Sequence, residues 1–110
     1  MAAFGQAWLA RDPQLRVAAD LMDQAVTEQA SSDSDRRGWG WLLRLPQGSS
    51  AGEKFSPRSY GHTGFTGTSL WIDPERELVV AVLTNRVYGG RASDGIHEFR
   101  RAVHDVLADI

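Results

Sequence analysis

The chain has 110 residues, 42% hydrophobic and 24% charged, with a formal net charge of −2 and no cysteine. That size supports one small core and one domain, and it excludes disulfides, thiolate metal sites and a cysteine nucleophile. Eleven arginines and one lysine are balanced by fourteen acidic residues, which leaves no basic field for nucleic acid.

Residues Met1–Leu9 lack the basic start of a leader peptide, and the longest apolar stretch, Leu78–Leu83, is far too short to cross a bilayer. Neither feature assigns a compartment. Phe4, Ala7 and Trp8 recur at three- and four-residue spacing and predict a short helix over Ala2–Ala10. Asp12-Pro13 reads as a helix entry, and Leu15, Ala18, Leu21, Met22, Ala25 and Val26 predict a helix running to about Glu28. The polar run Ser31–Arg37 has nothing to bury and predicts a surface loop.

From Gly38 the period changes to two, with Trp39, Trp41 and Leu43 on one side, and a strand is expected as far as Arg44. Gln47–Pro57 is rich in Gly and Ser and reads as a flexible excursion. Strands are then expected over Ser59–Gly64, Thr68–Ile72 and Leu78–Thr84, the last two joined by turn residues at Asp73–Glu77. Leu78–Thr84 is apolar on both faces, which implies cover on each side. Gly89-Gly90 breaks the chain, and Ser93 or Asp94 is expected to cap a last helix with Ile96, Phe99, Val103, Val106, Leu107 and Ile110 as its apolar stripe. The order of helices, antiparallel strands and a helix predicts an α+β fold with the terminal helix on one face of the sheet.

Gly61-His62-Thr63-Gly64-Phe65-Thr66-Gly67-Thr68-Ser69-Leu70-Trp71-Ile72-Asp73-Pro74 packs small residues into the start of a strand, as where a ligand lies against main chain. Together with Leu78–Arg86 and Gly38-Trp39-Gly40-Trp41, this run resembles the serine β-lactamase and penicillin-binding-protein superfamily. The class C β-lactamases and the related esterases and D-alanyl-D-alanine peptidases are the most similar members. The resemblance spans roughly Phe4 to Leu107 and covers the C-terminal third of that fold. It implies that residues 1–110 form a single partial domain of such a hydrolase.

In that family a Lys-Thr-Gly box, or His-Thr-Gly in many esterase-like members, borders the active site. Here His62-Thr63-Gly64 occupies it. The resemblance implies that His62 helps move a proton near the nucleophile, a task that suits imidazole. It also implies that Thr63 offers its hydroxyl to a substrate carboxylate or carbonyl and that Gly64 lets the acyl group lie against the strand. The backbone N–H of Phe65 would be one of two oxyanion donors. No metal or organic cofactor is implied.

Two of the family's boxes have no match. Ser-x-x-Lys fails because Ala51 stands three places before the only lysine, Lys54, and Tyr-x-Asn fails because Leu83 stands two places before the only asparagine, Asn85. The chain is therefore expected to be inactive alone, its substrate being a β-lactam, an ester or a D-Ala-D-Ala peptide in the complete enzyme. Its partner would be the missing N-terminal portion of the fold, or a second copy paired through the sheet edge. The alternative is a non-catalytic binding or interaction module.

Other constellations carry less. A Ser59, His62, Asp73 triad is opposed by strand geometry, because residues three apart on a strand face opposite ways. Ser56, Ser59 and Ser69 read as solvent or turn residues, and His97 and His104, seven apart on a helix, as surface histidines rather than a zinc site. Trp39, Trp41 and Trp71 read as core, and Arg36-Arg37 and Arg100-Arg101 as solvated charge.

Overall fold

A computed structural model describes residues 1–85 and 95–109. The Gly89-Gly90 break, the cap at Ser93 or Asp94, and Arg86 and Ile110 lie outside the described residues. Among the described residues three α-helices, α1 (Ala2–Leu9), α2 (Ala19–Ala25) and α3 (Ile96–Ala108), accompany six strands. The strands are β1 (Ala30–Ser31), β2 (Arg36–Arg37), β3 (Leu42–Leu43), β4 (Tyr60–Thr63), β5 (Ser69–Asp73) and β6 (Leu78–Val82). They form one antiparallel sheet in sequence order, so the α+β class expected from the sequence holds.

The sheet is covered on both faces, as the doubly apolar β6 required. On one side Trp8, Leu9, Val79 and Ala81 pack against a cluster of Ala25, Trp41, Leu43, Tyr60, Leu70 and Ile72. On the other side Leu78, Val82 and Leu107 pack against Ala51, Phe55, Trp71, Val80 and Ala108. Helix α1 approaches so closely that a Cβ on Gly5 would sit 2.7 Å from Val79 Cγ1.

Five local expectations need correction. The helix expected from Asp12 to Glu28 is two pieces. Asp12 does cap, accepting from Gln14 N at 2.9 Å, but the first piece is a single 3-10 turn, Pro13–Leu15. It stops at Arg16, whose φ of 56° is left-handed, and Leu21 ends exposed. The apolar spacing thus merged two short segments with different buried faces. Next, Ser31–Arg37 is not merely a loop: Ala30 and Ser31 pair with Arg37 and Arg36. This edge hairpin is held by polar bonds, including Arg36 Nε to Glu28 Oε1 at 2.6 Å, and so leaves no hydrophobic period to read.

The strand expected over Gly38–Arg44 shrinks to Leu42–Leu43, because Gly38 to Gly40 form a turn. Gly38 donates to the Trp41 carbonyl, and Gly40 takes a φ of 77°. Trp41 is buried as expected, whereas Trp39 is half exposed. The Gln47–Pro57 excursion is pinned, with the Glu53 and Lys54 amides donating to Asp105 Oδ1 at 2.7 and 3.2 Å and Phe55 buried.

Helix α3 turns a different face to the sheet from the one its apolar residues suggested. Ile96, Arg100, His104 and Ala108 are buried, while Phe99 and Val106 are exposed. His104 is therefore no surface residue. Its Nδ1 lies 2.7 Å from the Arg100 carbonyl, and its ring meets Phe55 edge-on at 5.5 Å. Burial lowers its pKa, against the opposing pull of the backbone bond and of Asp105.

The sign of the stability effect follows. Below the ordinary imidazole pKa of about 6.5 the unfolded chain binds a proton that the folded chain resists, so stability falls as pH drops through that value and is flat above it. The urea midpoint should be lower at about pH 5 than at about pH 7, and His104→Gln should narrow that gap. An unchanged gap in the variant would assign the acid sensitivity to other groups.

Candidate active site

Strand β4 is bonded to β5 along its whole length, from Tyr60↔Ile72 to Thr63↔Ser69. Its pairing with β3 ends at Leu42↔Gly61. Beyond that point the chain of β3 has turned away at Gly38–Gly40, and His62, Thr63 and Gly64 border a cavity of about 500 Å³. Gly61 permits the approach, since a Cβ there would collide with the Leu70 carbonyl and the Trp71 ring.

His62 is exposed at the cavity, with Nδ1 2.8 Å from the Thr63 carbonyl oxygen. A carbonyl oxygen only accepts, so this bond places the proton on Nδ1 and leaves the lone pair on Nε2. Thr63 also lines a second cavity of about 230 Å³ on the α3 side, together with Arg36, Trp71, His97 and Arg100. After Gly64 the chain makes a tight turn: Gly64 N donates to Thr68 O at 2.8 Å and Gly67 N to Gly64 O at 3.1 Å. Gly67 has a φ of 104°, and a Cβ on Gly64 would strike Thr68 Oγ1. Phe65 stands on this turn, largely exposed.

The far wall is aromatic. Phe4, Trp8, Trp39 and Trp41 line the larger cavity. Phe4 stacks on Trp41 at 6.0 Å, and Trp8 meets Trp41 edge-on at 5.3 Å. Helical spacing had placed Phe4 and Trp8 on one face, but no feature of the sequence tied that face to the His-Thr-Gly box.

The serines near the box are buried rather than solvent-facing. Ser56 Oγ donates to Asp73 Oδ1 at 2.6 Å and Ser56 N to Asp73 Oδ2 at 2.7 Å, and Asp73 also accepts from the Glu75 and Arg76 amides. Asp73 sits three residues along β5 from Leu70, the partner of His62, or about 10 Å at strand rise and on the opposite face. The structure therefore does not assemble Ser59, His62 and Asp73: Ser59 is fully buried and His62 exposed.

Lys54 pairs with Asp109 instead, and the Ala51 ahead of it is buried. Among the described residues no three His, Asp or Glu side chains converge as metal ligands. Arg100 departs furthest from expectation. Read as solvated charge, it is only 3% exposed and donates through Nη2 to Gly64 O at 2.7 Å and Thr68 O at 3.1 Å. Its i, i+4 register with Ile96 and His104 was the available signal.

Known proteins share this fold. A crystal structure of a β-lactamase from Mycobacterium bovis superposes with a TM-score of 0.79 at 24% identity, covering 96% of this chain and 41% of that one. Proteins named putative D-alanyl-D-alanine carboxypeptidase, from Salmonella paratyphi B and Salmonella newport, are 40% identical over 42 residues. That stretch is 38% of this chain and 10% of each relative's length. The sequence profile of the Beta-lactamase family matches residues 1–104, and the chain belongs to that family.

Proposed function

We propose that this chain is the C-terminal portion of a serine hydrolase of the β-lactamase family and forms one wall of its active site. The observation that carries the reading is that His62, Thr63 and Gly64, beyond the last β3 pairing at Gly61, border an open cavity, with the His62 proton held on Nδ1. In the complete hydrolase a serine from outside these residues attacks a β-lactam, ester or D-Ala-D-Ala carbonyl. His62 Nε2 takes up and returns a proton, and the Phe65 N–H receives the negative charge on the carbonyl oxygen. Thr63 holds a substrate carboxylate or carbonyl through its hydroxyl, and Gly64 leaves room for the acyl group. Collapse of the intermediate breaks the C–N or C–O bond, and the departing amine or alcohol, still tethered to the acyl group in a β-lactam, takes the proton from His62. Water then hydrolyses the acyl-enzyme to free the acid and the serine.

The 110 residues alone should not turn over nitrocefin or p-nitrophenyl acetate, for want of a nucleophile and its base. Turnover should appear when a preceding segment bearing Ser-x-x-Lys is present in frame. Turnover by the pure chain that His62→Ala abolishes would overturn the assignment of the nucleophile to another segment.

A second reading, a non-catalytic interaction module, is favoured by one feature. Strand β6 ends the sheet, and the groove beside it is lined by Leu78, Val79, Val80, Ala81 and Leu107. An apolar edge of this kind recruits a strand, either from the rest of the fold or from a second copy. The chain alone should dimerise through β6 or precipitate, as read by light scattering, and a clean monomer at high concentration would count against the pairing.

A further inference from the structure

We infer that Arg100 is the positioning residue of the Gly64–Thr68 turn, a guanidinium clamp reaching from α3 that aims the Phe65 N–H. One nitrogen, Nη2, donates to the carbonyls at both ends of the turn, Gly64 O at 2.7 Å and Thr68 O at 3.1 Å. The same two oxygens close the turn from within, accepting from Gly67 N and Gly64 N. Arg100 is 3% exposed and its bonds to the turn are part-buried, so they are partly shielded from water, a setting in which charge-assisted contacts gain strength.

The geometry of the peptide unit gives the clamp its consequence. Gly64 C=O and Phe65 N–H belong to one planar trans peptide and point in opposite directions. Holding that carbonyl toward α3 turns the N–H away from α3. His62 lies on that opposite side, because it pairs with Leu70, which packs in the cluster with Trp8 and Trp41. A Cβ at position 64 would sit 2.3 Å from Thr68 Oγ1 and force that side chain to move, so the peptide orientation rests on Gly64 and Arg100 together. The part of this inference that concerns catalysis rests on the reading of Phe65 N–H as an oxyanion donor. The clamp itself does not.

The experiment uses the isotope-labelled chain without substrate. In the wild type, coupling across the hydrogen bonds should connect Arg100 Nη2 to the Gly64 and Thr68 carbonyl carbons, and its absence would overturn the clamp. Arg100→Lys keeps the charge but loses the planar fork. In that variant the residual dipolar coupling of the Phe65 N–H should change and the Gly64 amide should exchange about tenfold faster, while the amides of β5 keep their rates. In Arg100→Ala, millimolar guanidinium should restore the wild-type Phe65 coupling. An unchanged Phe65 coupling in Arg100→Lys, or a loss of protection spread evenly over the sheet, would overturn the proposal. Failure here leaves the hydrolase reading standing. A confirmed clamp with no acylation in the complete protein would remove only that reading.

Discussion

His62→Ala in the complete hydrolase should slow acylation by about 10²- to 10⁴-fold, the usual range for a positioned proton-transfer group, and change substrate affinity by less than about tenfold. The asymmetry follows from the site. The imidazole is held by the Thr63 carbonyl through Nδ1, so in the proposed mechanism its other nitrogen would act on the proton in flight rather than on the ground-state ligand. Thr63, Gly64 and the aromatic wall remain to bind substrate in the variant. Single-turnover kinetics with a chromogenic ester or cephalosporin would separate the two effects. An unchanged acylation rate would remove His62 from the mechanism, and a loss confined to binding would recast it as a ligand contact.

Asp73→Ala should unfold the chain at markedly lower denaturant, with a stability loss on the order of 3 kcal/mol. The carboxylate is fully buried and gathers the Ser56 amide and hydroxyl with the amides of Glu75 and Arg76. Alanine leaves the Ser56 donors without an acceptor in a closed site, and it loosens the turn that joins β5 to β6. Asp73→Asn keeps the shape but offers one acceptor oxygen in place of two, and should cost less. Urea denaturation of the three proteins gives the order. Below its melting temperature the Asn variant of the complete hydrolase should acylate at the wild-type rate, because Asp73 serves the fold and not His62; selective loss of acylation would return Asp73 to the catalytic group.

What could be read from the sequence depended on whether burial was apolar. Strands β5 and β6 carry near-continuous apolar residues and β4 carries the motif, and the expected positions of all three agree with the structure to within two residues at each end. The hairpin of β1 and β2 is built from Arg, Ser and Ala and held by ion pairs, so periodicity had nothing to register. Arg100 and His104 escaped for the complementary reason: a stripe drawn through apolar residues of α3 skips a buried face half made of polar ones. Within the candidate site, the strand position of His62, Thr63 and Gly64 came from the motif. The aromatic wall and the guanidinium came only from the three-dimensional arrangement, because each reaches the box from a distant stretch of chain.

The sheet is a pure meander, each strand hydrogen-bonded to its neighbours in sequence. Such a sheet closes short loops one after another, and its contact order stays low for an antiparallel fold. The exceptions are the two helices that reach across it: α3, whose Asp105 and Arg100 bond back to Glu53, Lys54 and Gly64, and α1, which must wait for β5 and β6 before Gly5 can seat against Leu70 and Val79. Folding kinetics should therefore divide into fast local zippering of hairpins and slower docking of the helices, and the aromatic side of the cavity comes into being only when α1 docks.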